Sequence, residues 1–539
     1  MSDDGRNRRQ LRCLLCVVVL VGGTAWAAHA PATATSASRQ PHFLKFWRRW
    51  WDDPLLARPS QLRIGIALPG DTVPPSCPPR VDLTKPLSLS SAVDLALCSN
   101  PQLRVAWAAI KVSVARVGQA RAAYLPTLSV QLSELRNRTT YPKFPFSDST
   151  TNGHTTYASL NWLLFDFGGR AANREAADDL LRAAIDAHNA GVQRLLAQVI
   201  SDYFNAIATE ATLRVSVETA RLAKATEYSA RRRLNQGVGN RGDLAQAATA
   251  SAKADLILAR DVGNRDTAMA ELVYALGLAP GTPVVLPDLI APTRPEAMAG
   301  LRQWMQQAKL SQPAIRAAHE QWAAAQAKVR RAQSYGLPTL SFVTTYDENG
   351  YPNQGLQPIP SNALSAGLTL NIPIFDGFLQ RYKVSEARAR AEVAQARWQD
   401  TEHHVLAQVV AAYGDAVASL DALGPSRTLL VSAQQAMEAA RNRYDHGVGT
   451  MIDLLSAQAA LADARRQRVQ SLAQWDAARL RLLAASGVLG RSAVESADIT
   501  IRSVRYRDRC WRRRCHRFSP VWPEHGRSKK DASRQRFVE

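Results

Sequence analysis

Two kinds of pattern divide this chain. In four short segments apolar and polar residues alternate with period two, and over most of the remainder apolar residues recur at helical spacing. Leu128, Val130 and Leu132 alternate with Ser129, Gln131 and Ser133; Ala158, Leu160 and Trp162 alternate with Ser159 and Asn161. Later, Leu340 and Phe342 begin a third run, and Ala366, Leu368, Leu370 and Ile372 alternate with Ser365, Gly367, Thr369 and Asn371. Such alternation over ~9–11 residues is what a membrane strand requires, with one face toward lipid and one toward water. Two ordinary soluble hairpins would also show it. The strands are expected to be joined by polar loops at Arg136–Thr155 and Asp347–Asn362.

The helical pattern predicts an Ala-rich helix over Ser90–Tyr124, stopped before Pro126, and another over Gly300–Gly336, stopped before Pro338. A much longer helix follows each strand pair. Arg170 to Gln236 contains no proline and one glycine, Gly191, while Leu379 to His446 contains only Gly414, Gly424 and Pro425 as breakers. At ~1.5 Å per residue each makes a rod on the order of 100 Å. Gly-Val-Gly ends each rod, and return helices are expected over Asp243–Leu276 and Asp453–Ala485. Two shorter helices stacked end to end beside each long one give four helical columns.

The order of elements is the same twice because the sequence repeats itself. Leu125-Pro126-Thr127-Leu128-Ser129 returns as Leu337-Pro338-Thr339-Leu340-Ser341, 212 residues later, and Asn100-Pro101 is answered by Gln312-Pro313. Phe165-Asp166 matches Phe375-Asp376 and Tyr203 matches Tyr413, both at 210. Gly237-Val238-Gly239 with Asp243-Leu244 matches Gly447-Val448-Gly449 with Asp453-Leu454. One two-residue length change in a strand–loop region reconciles the offsets. The chain is a tandem duplication, with repeats expected over 87–290 and 291–490.

Four strands are too few to close a barrel, and an open sheet in hydrocarbon leaves edge N–H and C=O groups without partners. The subunit must therefore borrow strands from copies of itself. Strand count alone is compatible with two, three or four copies.

The two-repeat layout, the Phe165-Asp166-Phe167-Gly168-Gly169-Arg170 run with its counterpart Ile374-Phe375-Asp376-Gly377, and the paired Gly-Val-Gly turns resemble the TolC family of outer-membrane efflux and secretion channels. The resemblance covers about residues 87–490. It implies a mainly α, mixed fold: a tandem-duplicated subunit of a homotrimer, with a 12-stranded transmembrane β-barrel, a long periplasmic α-helical barrel, and a mixed belt around the middle. The segment from Ala92 to Gln102, with Cys98 and Pro101, is similar to the CyaE-like branch serving type I secretion. The implied partners are outer-membrane lipid, a periplasmic adaptor, and an inner-membrane ABC exporter or proton-driven pump. The competing reading is a periplasmic coiled-coil tether without a pore.

Composition adds the compartment. Arg6, Arg8, Arg9 and Arg12 precede the apolar run Cys13–Gly23, and Ala28-His29-Ala30 supplies a cleavage site, so residues 1–30 read as a signal peptide. A Pro- and Trp-rich leader spans 31–86 and a basic extension spans 491–539, both expected to be poorly ordered. Net charge is +21, but residues 491–539 hold 14 Lys and Arg against six Asp and Glu. The rest is interspersed with carboxylates, as on solvated helical faces, and no aromatic-studded groove accompanies it, so nucleic acid is not an expected partner. Nowhere after residue 30 does a run of ~20 apolar residues suggest a membrane-spanning helix. Removal of the signal would leave Cys77, Cys98, Cys510 and Cys515. In an oxidising compartment Cys77–Cys98 is the preferred bridge, pinning the leader to the first helix.

No catalytic constellation, cofactor site or metal site is expected. Gly237-x-Gly239-x-x-Gly242 follows a helix rather than a strand, which rules out a dinucleotide fingerprint. His403 and His404 are adjacent and face different sides of a helix. The candidate positions are instead structural and docking sites. Gly237, Val238, Gly239, Gly447, Val448 and Gly449 reverse the helices, and the resemblance implies that an adaptor docks on them. Asp243 and Asp453 stabilise the starts of the return helices, and in a trimer would set six carboxylates near the periplasmic entrance; Ser456 stands one turn on where a second acid might be expected. Asp166 and Asp376 cap the long helices, and Phe165 and Phe375 mark the membrane boundary.

Overall fold

Period-two strands need edge partners and the long helices need a covered stripe, and packing the two repeats together meets the second demand but only part of the first. The computed structural model describes residues 53–59, 77, 82–140, 142, 149–288, 298–350 and 361–495. The signal sequence, most of the leader, Cys510, Cys515 and the basic tail beyond residue 495 lie outside the described residues. In order, the first repeat contains α1 (Leu89–Ser99), α2 (Pro101–Ala122), β1 (Thr127–Thr139), β2 (Ser149–Phe165), α3 (Gly169–Asn235) and α4 (Arg241–Ala275). The second contains α5 (Leu301–Ser311), α6 (Pro313–Ser334), β3 (Thr339–Asn349), β4 (Ser361–Asn371), α7 (Leu379–Asp445) and α8 (Met451–Ala485).

The expected first helix of each repeat is in fact two helices. Asn100 sits at φ −67°, ψ 123° and Gln312 at φ −69°, ψ 116°, both extended. The cause is the following proline, whose ring disfavours helical geometry in the residue before it and whose missing N–H suits the first turn of a new helix. Asn100 caps the new helix, its Oδ1 accepting from Gln102 N at 2.8 Å.

Each break receives the end of a return helix. α3 packs against α2 and α4 on one side and against α6 and α8 on the other, and α7 packs against α5, α6 and α8. The columns therefore run α2 with α4, then α3, then α6 with α8, then α7. Ion pairs stitch the repeats together along α3 and α6: Arg330–Glu175 at 2.6 Å, Arg182–Glu320 at 2.8 Å and Arg316–Asp186 at 2.9 Å. Half-exposed pairs of this kind contribute ~0–1 kcal/mol each, so they set register more than stability.

Stability comes from the apolar stripes. The largest cluster joins α1, the middle of α3, the ends of α4 and α8, and Leu489 and Val494. Tyr203 is wholly buried there and its hydroxyl donates to Leu87 O at 2.8 Å. Gln193 Nε2 donates to Leu489 O at 2.9 Å. Segments before α1 and after α8 are thereby fastened to one face of the columns, as a belt. Cys77 is disulfide-bonded to Cys98 at the end of α1.

By length and composition α7 alone among the described helices could cross a bilayer, which the search for an unbroken apolar run did not anticipate. Its Val405, Val409 and Ala416 are buried against α5, α6 and α8. Only 22% of its apolar window is buried within the subunit, and Asp415 and Asp421 interrupt the same stretch of helix. α7 also continues through Pro425, where Arg468 of α8 donates to Leu423 O at 2.8 Å and Ser426 Oγ at 3.0 Å.

The four strands form one antiparallel sheet in the order β1-β2-β3-β4. Its register puts Leu128, Leu160, Thr344 and Ala366 in one row and Val130, Ala158, Tyr346 and Leu364 in another. Trp162, Phe342 and Leu368 share a third row on that face. The opposite face carries the row Ser129, Ser159, Thr345 and Ser365. From Leu340 to Tyr346 the apolar band spans roughly 20 Å at ~3.3 Å per residue, close to the ~25 Å band of an outer-membrane barrel. Beyond it the same face turns polar at Glu134, Arg136 and His154. The strands run further than expected, pairing to Thr139↔Ser149 and Asn349↔Ser361, so the loops are shorter than Arg136–Thr155 and Asp347–Asn362. Ladder hydrogen bonds continue through polar rungs that composition alone assigns to a loop. Among the described residues, β1 and β4 each keep one edge without a partner.

Candidate functional site

At the end of α3 the chain reverses because Gly237 adopts φ +76°, a conformation costly for residues with a Cβ. Val238 N then donates to Arg233 O at 3.1 Å and Gly237 N to Leu234 O at 3.0 Å, the Schellman arrangement that satisfies the last carbonyls. Gly239 is required for a different reason: a Cβ there would lie 2.6 Å from Leu234 N. The second tip repeats the device, with Gly447 at φ +78°, Val448 N bonded to Arg443 O at 3.0 Å, and a Cβ on Gly449 falling 2.9 Å from Tyr444 N.

Held in these turns, Val238 and Val448 point outward, 69% and 78% exposed. The two tips are also brought together. The Arg233 guanidinium lies 5.1 Å from the Tyr444 ring centroid, and Met437, Met451 and Leu454 share a small core with Ala230 and Ala247. Neither the arginine–tyrosine contact nor the shared core had a signal in the one-dimensional pattern.

The aspartates differ between copies. Asp453 forms a full capping box: its N–H donates to Thr450 Oγ1 at 3.1 Å and its carboxylate accepts from Thr450 N at 3.4 Å. In the first copy the cap is Asn240, which accepts from Gly242 N at 2.8 Å, and Asp243 stands in the first turn without that box. Asp453 therefore has a structural employment that Asp243 lacks.

At the strand-to-helix junctions, Asp166 Oδ2 accepts from Arg170 N at 2.7 Å and Asp376 Oδ2 from Gln380 N at 2.8 Å. Both carboxylates satisfy a first-turn donor, although Gly168 and Phe378 occupy the N-cap positions themselves. Arg170 closes the first junction: its guanidinium donates to Leu164 O at 3.0 Å and lies 4.9 Å from the Tyr124 ring centroid. Trp162 Nε1 donates to Tyr124 O at 2.9 Å. Phe165 and Phe375 are exposed at the base of the apolar band, each edge-on to a second phenylalanine, Phe167 or Phe378. Among the described residues no group of three or more His, Cys, Asp and Glu could hold a metal.

Comparison with known proteins places this geometry. The outer membrane efflux protein family model matches residues 92–278 and 304–488. The chain is 35% identical to Protein CyaE of Bordetella pertussis over 432 residues, 80% of this chain and 90% of that protein. It is 24% identical to outer membrane protein TolC of Escherichia coli, over 75% of this chain and 84% of that one. Among solved structures, outer membrane protein VceC of Vibrio cholerae superposes with a TM-score of 0.64 at 20% identity, covering 74% of this chain and 96% of its own, a likeness of fold. The chain belongs to the outer membrane efflux protein family, and is a non-enzymatic channel subunit of the outer membrane that extends into the periplasm.

Proposed function

We propose that three copies close one duct, with β1 of each subunit paired to β4 of the next. The observation that carries this is the sheet itself: its apolar face is continuous across four strands, yet both edges are open. Lipid tolerates the first feature and forbids the second. Three copies give an even twelve strands and a lumen. The outer helical columns point the same way, since α7 exposes Tyr382, Val393 and Val431 while α2 at the other side exposes Val105 and Val112. A tether would have no use for an apolar membrane-height band.

In this reading the Val238 and Val448 tips receive a periplasmic adaptor, which couples the duct to an inner-membrane pump. The cargo passes without bond chemistry in this chain. An ABC exporter and type I secretion of a protein are favoured over proton-driven efflux of small molecules, supported by the Ala92–Gln102 segment and the similarity to Protein CyaE. The test of the assembly is the oligomeric mass after detergent extraction from outer-membrane fractions. Three times the subunit mass is expected, and a stable monomer would sink the duct.

A further inference from the structure

The middle of the duct carries chemistry that the tips and barrel do not. Along α3, Leu196, Val199, Tyr203 and Ile207 form the stripe that holds the belt. Arg194, Gln198, Ser201 and Asn205, at the same spacing, form the opposite stripe. In a tube whose belt lies outside, that second stripe faces the lumen. It opens into a cavity of about 880 Å³ walled by four helices, α3, α6, α7 and α8.

The lining of this cavity is selective in charge. Arg194 from α3 and Arg481 from α8 enter it with His404 from α7, and among the described residues no Asp or Glu lines it. Arg481 is fixed by donating to Ser201 Oγ at 2.5 Å, and Gln408 stands 3.0 Å from His404. Most other lining groups are alanines and the amides of glutamines. Two adjoining cavities do carry acids: Arg194 borders one with Asp202 and Glu271, and Arg481 borders the other with Asp202, Glu271 and Asp415. Of these, Asp202 is buried, accepts from Gln198 Nε2 at 2.8 Å and feels the charge of Arg481, while burial raises its carboxyl above the ordinary value and so opposes its ionisation.

We infer that this cavity is an anion-binding band in the lumen, and that its occupant is a carboxylate-rich segment of a polypeptide in transit. Guanidinium forks match carboxylates bidentately. Glutamine amides can pair with passing peptide groups, and alanines give an extended chain little apolar surface to stick to. Three subunits set six guanidiniums around the bore. Attraction at this level, without a deep apolar grip, favours entry and permits release. The inference rests on the duct reading and deepens it.

The experiment is single-channel recording of the purified full-length assembly in a planar bilayer, with a 20-residue oligoglutamate added from the barrel side. The wild type is expected to show transient blockade in ~0.15 M salt that weakens in ~1 M salt, as the Debye length falls from ~8 to ~3 Å. The R194Q/R481Q pair, whose side chains are exposed, should still form channels but with less preference for chloride over potassium, and should need at least tenfold more peptide for the same blockade, while R194K/R481K should recover most of both. Equal blockade in the wild type and R194Q/R481Q overturns the inference while leaving the duct intact. Absence of any conductance from the wild type overturns the duct reading instead.

Discussion

The side-chain nitrogen of Asn100 lies 3.0 Å from the carbonyl oxygen of Ala275, and that contact joins two helices end to end. The turn at Gly277 already serves the carbonyls of Val273 and Tyr274, and Asn100 supplies the donor for Ala275. Gln312 does the same in the second repeat, donating to Ala485 O at 2.8 Å. The longer glutamine gives up the capping bond that Asn100 makes to Gln102 and keeps the bond across the junction. Negative helix end thus meets positive helix start, which adds a favourable dipole contact.

Gly277 and Gly487 complete these junctions, and their replacement should be costly. Each has positive φ, +71° and +76°, and a Cβ would fall 2.9 Å from Asn100 Cα and 2.7 Å from Gln312 Cα. Gly277→Ala and Gly487→Ala should each destabilise the subunit by about 2 kcal/mol or more, the sum of left-handed strain and a backbone clash. Gly191→Ala is the control: it lies within α3 with open space around it, and should be neutral or stabilising by up to about 1 kcal/mol. Thermal unfolding of the three variants in detergent separates the cases.

The tips allow docking to be separated from folding. Val238 and Val448 are exposed side chains on turns that their neighbouring glycines build, so Val238→Asp with Val448→Asp should leave the oligomeric mass and melting unchanged. Export should fall at least tenfold if an adaptor seats there. Gly239→Ala is a poor substitute, because the 2.6 Å approach to Leu234 N would disturb the turn and confound the two effects. Unimpaired export by the doubly charged variant rejects the docking assignment.

Much of this was legible in one dimension, for reasons that can be named. The tips are written locally, since Gly237 and Gly447 supply positive φ whatever surrounds them. Strand identity follows from period-two alternation, and the 210 to 212 residue offsets carry each reading into its copy. The break at Asn100 was also local, but the helical spacing running through it outweighed the proline that followed. Strand ends were misplaced because Arg136 and Asn152 pair as a rung despite their polarity. The junction to Ala275, the stacking of Arg233 on Tyr444, and the cavity between α3 and α8 join residues far apart in the chain. No local pattern encodes those.

The Cys77–Cys98 bond closes a loop of 21 residues and ties the leader to α1. In the chain-entropy model such a cross-link contributes about 3 kcal/mol. Cys77→Ser and Cys98→Ser should lower stability equally, and a reductant should shift the wild type to their level while leaving both variants unmoved. Unequal variants would show that one cysteine matters by packing instead.

Asp476 gives the subunit a pH dependence of definite sign. It follows the buried Trp475 on α8, and burial pushes its carboxyl up to about 6 against the opposing pull of Arg479. With a folded value above the ordinary 3.8, the native protein holds this proton more tightly than the unfolded chain does. Its contribution therefore favours folding as pH falls through 6 toward 4, and the charged form weakens the fold above 6. Asp476→Asn should stabilise the assembly at pH 8 by up to about 3 kcal/mol and give little gain at pH 4. Melting midpoints of wild type and variant at both values decide it. A wild-type pH difference that persists undiminished in the asparagine variant must come from another group.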